Sequence, residues 1–139
     1  MATPNLQMKA RDLMQTRMVA VTRQYSARDL SILIHSGTFS GVPVIEPGNH
    51  LVGMVTEFDV LKALIDGKDL HTLKAEDVMT PNPVTVDEAA TAEDIVNNMI
   101  KHQIIRIPVV REGKLLGMIS RTDLLNQLID DHLINVYGA

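Results

Sequence analysis

Two stretches of this chain bring a hydroxyl, a carboxylate and the start of a helix together: Gly53-Met54-Val55-Thr56-Glu57-Phe58-Asp59 and Gly117-Met118-Ile119-Ser120-Arg121-Thr122-Asp123. In each, an apolar run with strand character breaks at Thr or Ser and passes into a helical pattern, with Asp three residues after the hydroxyl. A helix N-terminus offers unpaired N–H groups and the positive end of the dipole, which favour an anion such as phosphate. The carboxylate beside it accepts hydroxyl donors. The same spacing is also a capping box, in which the two side chains satisfy the helix's own first N–H groups. Ser26-x-x-Asp29 and Thr91-x-x-Asp94 carry it too, before helices where nothing points to a ligand. Spacing alone leaves capping and binding both open, and context must decide.

The elements that position these residues repeat. Laying Lys9 to Ile65 over Lys74 to Ile129 aligns Asp12-Leu13-Met14 with Asp77-Val78-Met79, Ala27 and Asp29 with Ala92 and Asp94, and Val42-Pro43-Val44 with Ile107-Pro108-Val109. The Gly-Met motifs then coincide after a one-residue difference in the turn, so the chain contains an internal duplication. Each copy predicts a short helical turn, around Arg11 to Met14 or Glu76 to Met79. An extended piece follows at Val19-Ala20-Val21 or Val84-Thr85-Val86, then a helix over Ala27 to Ser36 or Ala92 to His102. Two β-rich runs come next, Val42 to Glu46 with Leu51 to Thr56, and Ile107 to Arg111 with Leu115 to Ser120, joined by Pro47-Gly48-Asn49 and Glu112-Gly113. A last helix covers Glu57 to Ile65 or Arg121 to about Asn135. The fold class is α/β (α+β): two β-α-β-β-α repeats at 8–66 and 74–135, with a linker at 67–73. A unit of this size has a marginal core alone, so the repeats are expected to pack sheet to sheet with pseudo-twofold symmetry.

Composition removes several chemistries. There is no cysteine, hence no disulfide, thiol nucleophile or Cys-based zinc site. The five histidines, His35, His50, His71, His102 and His132, show no metal-ligand spacing, and no metal site is expected. No Gly-rich phosphate loop or nucleophile elbow is present, which argues against an enzyme and leaves no catalytic residue to name. A net charge of −4, two Phe, two Tyr and no Trp disfavour nucleic acid. No apolar run approaches the ~18 to 20 residues of a membrane span, and Met1 to Asp12 lacks a signal pattern, so a cytoplasmic location is expected.

The D-x-M starts, the [VI]-P-V strands and the G-h-h-[TS]-x-x-D motifs, in order and twice from Lys9 to about Leu133, resemble the CBS-domain pair, or Bateman module. That resemblance implies a regulatory module whose cleft between repeats binds an adenosine-containing ligand such as AMP, ADP, ATP, S-adenosylmethionine or NAD, with no cofactor required. It also implies a homodimer. Carried over by position, the first ligand site comprises Met54, Thr56, Asp59, Asn82, Val84, Val86, Ile105 and Arg106. The second comprises Arg17, Val19, Val21, Ser40, Gly41, Met118, Ser120, Arg121 and Asp123. In these sites the Asp takes the ribose hydroxyls and the helix end faces phosphate.

The two sites differ. Arg106 offers a planar, charged fork suited to phosphate oxygens, whereas Gly41 at the matching place offers only backbone, with Arg17 and Arg121 as the available compensation. Glu57 next to Thr56 opposes a polyphosphate, which favours AMP at the first site. Met54 and Met118 read as core filler or as soft adenine walls. The apolar residues of the last helix and its counterpart read as core or as a self-association face. The expected function is adenine-nucleotide sensing that modulates a partner protein; the alternative is a structural or interaction module acting through dimerisation with degenerate pockets.

Overall fold

The computed structural model describes residues 5–37, 39 and 41–129. Ser40, His132, Leu133 and the expected run of the last helix toward Asn135 lie outside them. The elements in order are α1 (Ala10–Leu13), β1 (Val21–Thr22), α2 (Ala27–His35), β2 (Gly41–Glu46), β3 (His50–Thr56), α3 (Glu57–Ile65), α4 (Ala75–Val78), β4 (Thr80–Pro81), β5 (Val86–Asp87), α5 (Ala92–His102), β6 (Arg106–Arg111), β7 (Lys114–Ser120) and α6 (Arg121–Ile129). This is the expected mixed α+β order, twice over. No helix among the described residues is long and apolar enough to cross a membrane.

The strand that opens each copy begins two residues later than the apolar run suggests. β1 pairs in parallel with β2 only through Val21↔Val44 and Thr22↔Ile45, and β5 with β6 only through Val86↔Val109 and Asp87↔Val110. Val19 and Val84 instead pack against the cores as partly buried side chains. β4 is an element that sequence did not suggest, paired antiparallel to β3 through Gly53↔Pro81 and Met54↔Thr80.

Two compact units divide the chain differently from the repeats. Among the described residues, one comprises Val19–Pro83 with Gly113–Leu115; the other holds those from Asn5 to Met18, Val84–Glu112 and those from Leu116 to Ile129. The short helix that opens each repeat is thus built into the unit formed by the body of the other repeat. In the Val19–Pro83 unit, Ala75 is fully buried among Val21, Leu30, Ile34, Val42, Val44 and Val55. Its N–H donates to the Tyr25 carbonyl at 2.8 Å, and that of Ala27 to the Leu73 carbonyl at 2.9 Å. In the other unit, Ala10 occupies the same place among Val86, Ile95, Met99, Ile107, Val109, Ile119 and Leu124. The Ala10 N–H donates to Ala90 and that of Ala92 to Met8, both at 2.8 Å.

Helical spacing explains the buried faces. Ala27, Leu30 and Ile34 of α2, and Ala92, Ile95 and Met99 of α5, recur three and four residues apart and are all buried. Truncating a fully buried Leu30 or Ile95 to Ala is expected to cost about 2–5 kcal/mol. α3 behaves otherwise, since only its Ala63 is buried while Phe58 and Ile65 are 83% and 85% exposed.

Candidate functional site

The Gly-Met motif of each repeat and the D-x-M motif of the other explain one another. Gly53 lies under Met79, the last residue of the D-x-M motif: a Cβ at Gly53 would collide with the Met79 sulfur and stand 3.1 Å from the Thr80 carbonyl oxygen. Gly117 meets Met14 in the same way, and a Cβ there would come 2.8 Å from the Gln15 carbonyl oxygen. Glycine at these strand positions admits the methionine and the backbone that follows it. In the first case that backbone is β4, which carries Thr80 to the start of α3.

All four hydroxyl-to-aspartate spacings form helix caps. The Asp29, Asp59, Asp94 and Asp123 N–H groups donate to Ser26, Thr56, Thr91 and Ser120 at 3.2, 3.4, 3.2 and 3.0 Å. Their surroundings then separate them. Asp29 and Asp94 are exposed, whereas Asp59 and Asp123, in the Gly-Met motifs, are half-buried. Asp59 is the most elaborated: its Oδ2 accepts the Thr56 N–H at 2.7 Å and the Thr56 hydroxyl at 3.0 Å, and its Oδ1 accepts the Thr80 hydroxyl at 2.8 Å. The result is a carboxylate fixed at the start of a nine-residue helix, in the field of its N–H groups.

In the Val19–Pro83 unit the fold therefore brings Met54, Thr56, Asp59 and Asn82 together with Thr80. Asn82 takes a left-handed backbone conformation, φ 48°, and donates its N–H to Val52 at 3.3 Å; an Asn tolerates this where most residues do not. Thr80 is the residue that sequence reasoning missed. Its signal lay only in position, directly after the Met that packs on Gly53. Val21 belongs to the same unit and its side chain is buried in the core; Val19 packs partly buried against the same cluster and Gly41 begins β2.

In the other unit, Met118 is bridged to Gln15 by two backbone hydrogen bonds of 2.8 and 3.0 Å, which seats the segment leading to exposed Arg17 beside β7. Arg121 N–H donates to the Ile105 carbonyl at 2.8 Å, and both residues line a groove of about 540 Å³ with Met99, Ile104, Leu124 and Leu128. Val86 is in the core, Val84 packs against it, and Arg106 opens β6 half-buried. Met54 and Met118 are both buried, as core filler would be. Among the described residues no group of three or more His, Asp or Glu is arranged to hold a metal ion.

With this geometry in view, comparison with known proteins is direct. The CBS domain family model matches residues 10–66 and 75–130. The chain belongs to the CBS-domain family. Bacillus subtilis YlbB, an uncharacterized protein, is 32% identical over 117 residues, which is 84% of this chain and 79% of that protein. A crystal structure of Hypoxic Response Protein I with two coordinated zinc ions has a TM-score of 0.78 at 27% identity, covering 87% of this chain and 99% of that one. CBSX2 in complex with AMP has a TM-score of 0.74 at 28% identity, covering 85% and 93%.

Proposed function

We propose that this CBS pair is a cytoplasmic regulator that binds an adenine nucleotide, AMP in preference to ADP or ATP, and passes its occupancy to a partner protein without catalysing a reaction. The observation that carries the reading is Asp59, a half-buried carboxylate clasped by Thr56 at a helix N-terminus and already accepting a hydroxyl, that of Thr80. Such a group is suited to ribose hydroxyls, with the helix end beside it suited to phosphate. The AMP complex of CBSX2 supports the ligand class. Regulation then requires that two arrangements of the protein bind the nucleotide unequally, because equal affinity shifts no equilibrium.

A thermal-shift panel of AMP, ADP, ATP, S-adenosylmethionine and NADH tests the ligand, since a ligand at about 100 times its Kd stabilises by about 2.7 kcal/mol. Calorimetry on Asp59→Ala tests the site, with an expected loss of about 10- to 100-fold in affinity for the stabilising nucleotide. Silence across the panel, or an unchanged affinity in the variant, overturns the reading.

The interaction-module reading has its own support in α3, whose Phe58, Leu61, Leu64 and Ile65 leave an apolar face uncovered. Water-exposed apolar area of this kind favours association. We assign it to a homodimer, which is compatible with ligand sensing and supplies the element a ligand can bias.

A further inference from the structure

An ionised carboxylate has about four acceptor positions, two on each oxygen. On Asp59, the Oδ2 positions are taken by the Thr56 N–H and the Thr56 hydroxyl, so the start of α3 uses them fully. Oδ1 accepts the Thr80 hydroxyl at 2.8 Å, which among the described residues leaves one position open. A vicinal diol brings two O–H donors and needs two. We propose that the Thr80 hydroxyl is a built-in competitor for one of them, setting how strongly the site distinguishes a ribose diol from a sugar with a single hydroxyl. This inference rests on the reading of Asp59 as the ribose acceptor.

The exchange is close to neutral in the native chain. A ribose gains its second hydrogen bond only by turning Thr80 away, so one charge-assisted bond replaces another. A 2′-deoxyribose uses the open position and leaves Thr80 in place. Thr80 is placed for this: its backbone is paired to Met54, while its side chain is exposed and able to rotate. The matching residue of the other copy is Gln15, which has no hydroxyl. The hydroxyl competitor is therefore proposed for the Asp59 site.

The test is calorimetry of AMP and 2′-deoxy-AMP on the full chain with Thr80→Val, which keeps the branched shape without the hydroxyl, and Thr80→Ser, which keeps the hydroxyl. Thr80→Val is expected to tighten AMP by about 3- to 10-fold, leave 2′-deoxy-AMP within about twofold, and so widen the ribose-to-deoxyribose ratio. Thr80→Ser is expected to match the native protein. Should Thr80→Val lower the thermal midpoint of the free protein, Thr80→Ala serves as the second hydroxyl-free variant. If Asp59→Ala loses AMP while the hydroxyl-free variant leaves AMP unchanged, weakens it, or tightens both nucleotides equally, the competitor role is overturned and nucleotide binding stands. If neither the native protein nor the hydroxyl-free variant binds AMP, the reading beneath it fails as well.

Discussion

Arg111 grips Glu88 through two parallel hydrogen bonds, Nε to Oε1 and Nη2 to Oε2, each 2.8 Å, tying the loop before α5 to the end of β6. The Glu88 carbonyl also accepts the Arg11 N–H at 3.0 Å, so one residue fastens α1 as well. The hydrogen bond from Arg111 holds the Glu88 carboxyl below its ordinary range. A depressed folded value contributes stability at higher pH that is lost as pH falls through it. Arg111→Ala is therefore expected to be less stable than the native protein at neutral pH, with the gap closing below about pH 4. Urea denaturation of both proteins from pH 7 to 3 checks this; the gap should also shrink in high salt, because the pair is solvent-exposed.

The two motif glycines should not be equivalent. At Gly117 an added Cβ meets the Gln15 backbone oxygen at 2.8 Å, while at Gly53 its closest obstacle is the Met79 side chain. A side chain can turn aside more cheaply than a paired backbone. Gly117→Ala is expected to cost about 1–3 kcal/mol and Gly53→Ala less, as read from chemical denaturation midpoints.

The turn between β6 and β7 holds Glu112 at φ 50° and Gly113 at φ 80°, the pattern of a two-residue hairpin with both central residues left-handed. Glutamate is a poor choice there. Glu112→Asn is expected to raise stability by about 0.5–1 kcal/mol, measured by thermal unfolding, with no change in nucleotide affinity.

Arg106, proposed for phosphate by its position in the repeat, is expected to separate nucleotide from nucleoside. Arg106→Ala is expected to weaken AMP by about 10-fold or more while altering adenosine little. An equal loss for both ligands would contradict the assignment.

The uncovered face of α3 predicts the assembly. Phe58→Glu, a change at a residue 83% exposed, should leave the fold intact and shift the sedimentation coefficient toward that of a monomer. A native protein already monomeric at high concentration would overturn the homodimer.

Much of the fold was legible because local rules agree with it: apolar residues at helical spacing in α2 and α5, hydroxyl caps before each long helix, and Gly-containing turns between paired strands. The duplication made each reading count twice. What stayed hidden depends on residues far apart in the chain. Thr80 reaches Asp59 across 21 positions, and β4 is two residues long and includes a proline, too brief for any periodicity. Burial likewise separates Asp59 and Asp123 from Asp29 and Asp94, although all four share one spacing. The exchange of α1 and α4 left no mark in the sequence, because both helices carry the same motif.

That exchange has a consequence for how such a chain can arise. Ala10 and Ala75 are each fully buried in the core of the opposite repeat's body, so a single copy folded alone would bury no helix of its own there. Two single copies that traded helices in this way would have a stability that depends on concentration. Joining two copies through residues 67–73 turns that encounter into an intramolecular one at high effective concentration. It also frees the two copies to diverge, as Thr80 and Gln15 have done.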